Sequence, residues 1–252
     1  MSERTSKKVI VVMPARQAAA TLKRTFAEIP QDEVDEIILV DDNSSDETVK
    51  LAEELPLTVI WHPHQVGYGG NQKTCYLEAL RHGADVVVML HPDGQYEPSL
   101  IPSMVDPIVN GEADLVLGSR LAVPGWAIDA GMPRWKWVAN RFLTIIENRI
   151  MGTNLTEAHT GYRAYSRELL LEVPFLRNSL DFVFDSELLM QASHMKFRIA
   201  EVPARCRYFD DMSSVGFETG VVYGLKTLWA GFRLILHRNG ILKSRKYVAK
   251  LS

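Results

Sequence analysis

Five short apolar runs, rich in β-branched residues, recur through the first half of the chain: 8–13 (KVIVVM), 36–41 (EIILVD), 57–61, 85–91 (DVVVMLH) and 114–118 (DLVLG). Each run is continuous rather than alternating, which is the pattern of a strand covered on both faces. The stretches between them read as helices over 18–28, with Leu22, Phe26 and Ile29 on one face, and over 46–55 and 71–82. Strand and helix in turn predict an α/β fold with a doubly wound, mostly parallel sheet. In such sheets ligands sit beyond the carboxyl ends of the strands. The candidate site therefore falls on 14–17, 41–46, 62–72, 91–97 and 119–126 before any motif is considered.

The second half reads as a helix over 134–151, a short strand over 160–166, a helix over 181–194, an extended stretch over 197–208 broken at Pro203, and an apolar helix over 217–236. No linker composition divides the chain, so the expected organisation is a body over 1–215 with an apolar helix and basic tail over 216–252. With 46% hydrophobic and 23% charged residues, the composition excludes a disordered or fibrous chain. Two cysteines, Cys75 and Cys206, cannot make a disulfide framework or a Cys-only zinc site and fit a reducing compartment. The apolar start before Pro14 is too short for a signal-peptide core, and a cytoplasmic location is expected. The net charge of −3 argues against a general nucleic-acid binder. It is unevenly spread: residues 221–252 hold seven Lys or Arg and no acid, leaving −10 on the rest. A basic tail on an acidic body suggests an anionic surface as partner, a membrane among the candidates.

Three segments on the expected rim could carry chemistry. In VDDNSSDET (40–48), Ser44 and Glu47 have the spacing of a capping box. That leaves Asp41 and Asp42 unexplained, and a carboxylate there could accept from a base N–H or a ribose hydroxyl. In HQVGYGGNQK (64–73) the glycines could let backbone approach a ligand at a helix N-terminus. The spacing matches neither a P-loop nor a dinucleotide fingerprint, which counts against a kinase, an ATPase and a dehydrogenase. In MLHPDGQYEP (89–98) an extended loop would put His91, Asp93 and Gln95 on one face. Those groups could supply part of a divalent ion's shell, completed by diphosphate oxygens and water; Pro-Asp-Gly is equally a turn signal. Arg120, in GSR at the end of the fifth strand, could clamp a diphosphate.

VVMPAR, VDDNSSDET, GYGG, HPDGQ, GSR and HTGYRAYSR, in that order over roughly residues 8–215, resemble glycosyltransferase family 2 with its GT-A fold, in the branch of the dolichyl- and polyprenyl-phosphate hexose synthases. The resemblance implies a nucleotide pocket at Pro14, Ala15, Arg16, Asp41 and Asp42, bordered by Gly67, Gly70 and Gln72. It implies a divalent metal, Mn2+ or Mg2+, at His91, Asp93 and Gln95, with His91 standing where the family has the first acid of Asp-x-Asp. Another departure is the absence of the Pro-x-Tyr-Asn-Glu opening. The implied reaction is an inverting transfer from a UDP- or GDP-hexose, with Asp93 and Arg120 at the leaving diphosphate. Arg163, Arg207 and Ser213 fall where the branch would bind an acceptor phosphate. A phosphate acceptor needs no base; a hydroxyl of an envelope glycan or lipid does. Asp185 and Glu187 in FVFDSELL are the candidates, of which only one can face the site from a helix. A catalytically silent nucleotide-sugar binder is a third reading. The first strand is followed by no glycine-rich basic loop, unlike a nucleotidyltransferase. The run 221–236, shorter than a bilayer span, either packs on the core or lies in a membrane interface with Trp229 and Phe232 at headgroup depth, joined by 131–141.

Overall fold

A computed structural model describes residues 7–207 and 216–248. The strands are β1 (Val9–Ala15), β2 (Glu36–Asp41), β3 (Thr58–Trp61), β4 (Val86–Met89), β5 (Leu115–Ser119), β6 (Arg163–Ser166) and β7 (Ile199–Pro203). The helices are α1 (Leu22–Ala27), α2 (Thr48–Glu53), α3 (Tyr68–Arg81), α4 (Ile101–Val109), α5 (Trp126–Asp129), α6 (Arg134–Met151), α7 (Arg167–Glu172), α8 (Phe184–His194) and α9 (Phe217–Arg238). All seven strands form one sheet in the order β3-β2-β1-β4-β6-β5-β7. Every pairing is parallel except those of β6, which runs antiparallel between β4 and β5.

The continuous apolar runs are explained by cover on both sides. Along β1, Ile10 and Val12 face one core, with residues of α3 and α8, while Val9, Val11 and Met13 face the other, with residues of α1 and α4. From β1 the chain winds out through β2 to β3, then returns to place β4 on the other flank of β1. That reversal opens a crevice between the carboxyl ends of β1 and β4, the expected place for a ligand. The segments 14–17 and 91–97 leave these two strand ends toward α1 and α4 on the same side of the sheet, where the Thr21 hydroxyl donates to the Pro92 carbonyl at 2.6 Å.

One local expectation fails. Helix α2 begins at Thr48, and no capping box forms. The Ser44 hydroxyl is taken by the Asp41 carboxylate and by the Gln17 backbone N–H, and the Asp46 carboxylate caps the Thr48 N–H at 3.1 Å. Helix α4 is not among the helices read from the sequence; of its neighbouring prolines, Pro98 and Pro102 stand where a missing N–H costs nothing. At the C-terminal end, Ala230, Leu234 and Tyr247 join the core beneath the sheet.

Candidate active site

The rim formed by β1, β2 and α3 is bound largely to itself. Pro14 and Ala15 are the buried last residues of β1, paired with Val40 and Asp41. Arg16 follows on the exposed rim, facing Gln65, whose amide oxygen accepts at 2.6 Å when turned toward it. Gln17 and Asn43 have φ of 52° and 57°, so left-handed backbone lies at the ends of both strands. The buried Asp41 accepts from the Ser44 N–H at 2.7 Å. Asp42 accepts from the N–H groups of Val66 and Gly67 at 2.7 and 3.1 Å, tying β2 to the loop before α3. Both acids, expected to meet a nucleotide, spend their charge on their own chain.

The glycines are likewise reassigned. A Cβ on Gly67 would lie 2.7 Å from the Leu180 carbonyl oxygen, and one on Gly69 only 2.4 Å from that of Ser179. The Gly69 N–H donates to the Leu180 carbonyl at 2.8 Å. Gly70 is closed off by Val66, and Gln72 is wholly buried, accepting from the Tyr76 hydroxyl. These residues seat α3 against the segment before α8 and do not border open space.

The 91–97 loop reconciles its two readings. It is a turn, with Gly94 at φ 73° and the Asp93 carboxylate accepting from the Gln95 N–H at 2.9 Å. Burial nevertheless alternates: His91, Asp93 and Gln95 are half-buried, while Pro92, Gly94 and Tyr96 are buried. Burial pushes the Asp93 carboxyl above its usual range, and the charges of His91 and Arg120 pull it only partly back. A carboxylate short of positive charge is a group a cation would suit. No three His, Cys, Asp or Glu side chains converge into a ready-made metal cluster among the described residues. The donors therefore fit a divalent ion only as part of a shell that phosphate oxygens complete.

Arg120 is buried at the end of β5 and gripped by Glu157: its Nε donates to the carboxylate at 2.9 Å, and its backbone N–H does so at 2.7 Å. A further donor reaches the His159 carbonyl at 2.9 Å. Burial pushes the Glu157 carboxyl up, but Arg120 outweighs it and holds the group below its usual range. Sequence reasoning missed Lys136, on the first turn of α6. Burial and then the charge of Arg120 lower its pKa. No carboxylate among the described residues pairs with it. Its signal in the sequence was a lysine between two tryptophans, which reads as an amphipathic surface.

Of the two candidate bases, Asp185 faces the site. Its carboxylate accepts from the Tyr68 hydroxyl at 2.7 Å, and that hydroxyl lies 3.3 Å from His91 Nε2, the two rings stacked at 5.6 Å. Burial, then Asp185, raises the Tyr68 pKa well above its usual value, so the phenol keeps its proton. Glu187 is turned away to Lys246 and to the Ser179 N–H. The structure also corrects Arg163. It is fully buried, and its guanidinium donates to the carbonyls of Thr160, Asp185 and Ala158, which leaves it no face for an acceptor. Arg207 is half-exposed at the rim and paired with Glu28 at 3.0 Å. Ser213 lies outside the described residues.

A crevice at a sheet reversal, with a buried arginine and an undercompensated aspartate, is a common architecture for several chemistries, and the sequence decides among them. The family model described as Glycosyl transferase family 2 matches residues 10–173. The chain belongs to this family. It is a glycosyltransferase with the GT-A fold. A UDP-N-acetylglucosamine–dolichyl-phosphate N-acetylglucosaminyltransferase from Methanococcus voltae is 29% identical over 93% of this chain and 97% of its own length. A polyprenol monophosphomannose synthase from Mycolicibacterium smegmatis is 30% identical over 66% of this chain and 64% of its own. Similarity to such relatives places the chain in the polyprenyl-phosphate hexose synthase-like branch. Among solved structures, glucosyl-3-phosphoglycerate synthase from Mycobacterium tuberculosis in complex with UDP superposes with a TM-score of 0.71 over 95% of this chain and 82% of that one, at 22% identity. The same enzyme is also known with Mn2+, UDP and glucosyl-3-phosphoglycerate.

In this family 2 transferase, no helix among the described residues is long and apolar enough to cross a membrane. Helices α6 and α9 pack side by side, with Gly231 so close to Ile150 that a Cβ would lie 2.6 Å from its Cδ1. Their outer faces expose Trp135, Val138 and Phe142 on α6, and Leu225, Trp229 and Phe232 on α9. The inner face of α6 carries a polar stripe, with Asn140, Thr144 and Glu147 all buried beside Leu143 and Met151. That inverts the usual amphipathic order of a surface helix. Part of the basic tail is turned inward: Lys246 binds Glu187, its carbonyl accepts from Gln191 at 2.7 Å, and Arg177 reaches the carbonyls of Arg245 and Val248.

Proposed function

We propose that this glycosyltransferase moves a hexose, with inversion, from a nucleoside diphosphate sugar to a polyprenyl phosphate. It would act as a peripheral protein on the cytoplasmic membrane face. The observation that carries the reading is an undercompensated Asp93 that feels the charge of Arg120, with Lys136 near Arg120 in turn, beside helices whose apolar faces point outward. Asp93 and Gln95, with His91 beside them, would hold a divalent ion, which supplies Lewis-acid stabilisation of the departing diphosphate. Arg120 donates hydrogen bonds to that diphosphate and stays fixed by Glu157, so little reorganisation accompanies charge development. Lys136 donates to a phosphate oxygen and gains a charge partner that none of the described residues supplies. Arg16 and the backbone edge after Ala15 border the base. The nucleotide-sugar donor named for the archaeal relative supports a uridine nucleotide. The apolar faces of α6 and α9 meet the lipid, which brings an isoprenoid phosphate to the crevice.

A hydroxyl acceptor is the second reading. It is favoured by Asp185, a carboxylate held at the crevice by Tyr68 and able to take a proton. The first test is calorimetric binding of UDP and GDP with manganese, magnesium or EDTA, followed by transfer from the matching UDP- or GDP-hexose to undecaprenyl phosphate in vesicles. Metal-dependent binding of one nucleotide and formation of lipid-linked sugar are expected. Binding without turnover on any acceptor would move the protein to a silent binding role.

A further inference from the structure

The inner stripe of α6 addresses one loop residue by residue. Asn140 donates to the Glu157 carboxylate at 2.7 Å, the Thr144 hydroxyl accepts from the Ala158 N–H at 3.2 Å, and the Glu147 carboxylate lies 2.9 Å from His159 Nε2. The spacing of 140, 144 and 147 puts the three on one helix face. Glu147 is 1% exposed, and neither of its oxygens has a well-aligned hydrogen bond. The imidazole is thus its close partner by proximity rather than by alignment. The other side of that imidazole is also held: Nδ1 lies 2.7 Å from the Tyr223 hydroxyl on α9, which is 3.1 Å from the Ser186 hydroxyl on α8. The loop held this way carries the groups that grip Arg120, namely the Glu157 carboxylate and the His159 carbonyl.

Resting on the nucleotide-sugar reading, we infer that Glu147, His159 and Tyr223 form a brace of positioning residues that sets Arg120 against the terminal phosphate of the donor nucleotide. None of the three needs to touch the donor. The brace acts through main chain and Glu157, so its effect is confined to what Arg120 touches.

The comparison of a nucleoside diphosphate with its monophosphate isolates that contact. Calorimetry with UDP and UMP, and with GDP and GMP, each with manganese, would be run on the wild-type protein, Tyr223→Phe, Glu147→Gln and His159→Gln, with thermal unfolding as the control on folding. The brace predicts a fall of about threefold or more in the diphosphate-to-monophosphate affinity ratio for folded Tyr223→Phe and Glu147→Gln, a modest coupling free energy. Monophosphate affinity should stay within about twofold, below the size of such a coupling. His159→Gln, which keeps a hydrogen-bonding side chain, should lose less of the ratio than His159→Ala. A purely structural role would instead lower both affinities in step with the melting temperature, and that result would overturn the brace. So would an unchanged ratio in the folded variants. A wild-type protein that binds neither UDP nor GDP fails earlier: it overturns the nucleotide-sugar reading, and the brace with it.

Discussion

The two flanks of the crevice are built from similar residues and use them oppositely. On the β1–β2 flank, Asp41 is engaged by the Ser44 N–H and hydroxyl and Asp42 by two backbone N–H groups, and the glycines of 67–70 are pressed against their own chain. On the β4–β5 flank, Asp93 and Lys136 are partly buried, and the described residues leave both charges less compensated. An acid next to a strand end is therefore not by itself a ligand group. The first flank spends charge to gain rigidity; on the second, the proposed reading assigns the less compensated charges to a cation and a phosphate.

The sharpest way to break this contrast is Asp93→Ala. Metal-dependent nucleotide binding should vanish and sugar transfer fall by about a hundred- to a thousandfold, the scale of losing a main electrostatic contact; both are read by calorimetry and product formation. Asp42→Ala should act through stability: losing two charge-assisted hydrogen bonds should cost about 2–3 kcal/mol in urea unfolding, with nucleotide affinity following. The outer helix faces are tested by Phe142→Ser combined with Leu225→Ser. Sedimentation with anionic vesicles should weaken by about tenfold or more, since two apolar side chains lose their burial in lipid, while the melting temperature stays put. The smallest effect concerns pH. The Asp93 carboxyl sits above its usual range in the folded protein, so its ionised form opposes folding once the pH exceeds that value. Asp93→Asn should then raise the melting temperature by about 1–3 °C at pH 8, and the gain should shrink as the pH falls through the ordinary carboxylate value of 3.8, below which the carboxyl is increasingly neutral in both states. A variant that melts lower at pH 8 would mean that Asp93 already has its counter-charge.

The sheet was legible because a strand buried on both faces leaves an unbroken apolar run, as 9–13, 37–40 and 86–89 do. The α6 boundaries of 134–151 were also legible, from a helix periodicity ended by Gly152 in a left-handed conformation. The direction of β6 was not, because period-two patterning is the same whichever way a strand runs. The glycines misled because close approach is what a glycine allows, and the sequence does not say whether a ligand or a carbonyl comes close. Arg163 misled for a similar reason: an arginine on a rim segment reads as a phosphate ligand until three carbonyls are found around it. Of the candidate side chains, His91, Asp93, Gln95, Arg120 and Asp185 gather at the expected edge, whereas Glu187 is lost to a tail residue 59 positions away that no local pattern announces.

The antiparallel β6 also sets a schedule. It lies between β4 and β5, both of which precede it in the chain. As the polypeptide is synthesised, those two strands cannot complete their hydrogen bonding until residues 163–166 have emerged and slipped between them. A chain stopped short of that point would hold two short apolar strands with open edges, the kind of surface that recruits another unfinished chain. The loop that grips Arg120 comes just ahead of β6, so closure of the sheet and fixing of Arg120 are one late event in the life of the nascent protein.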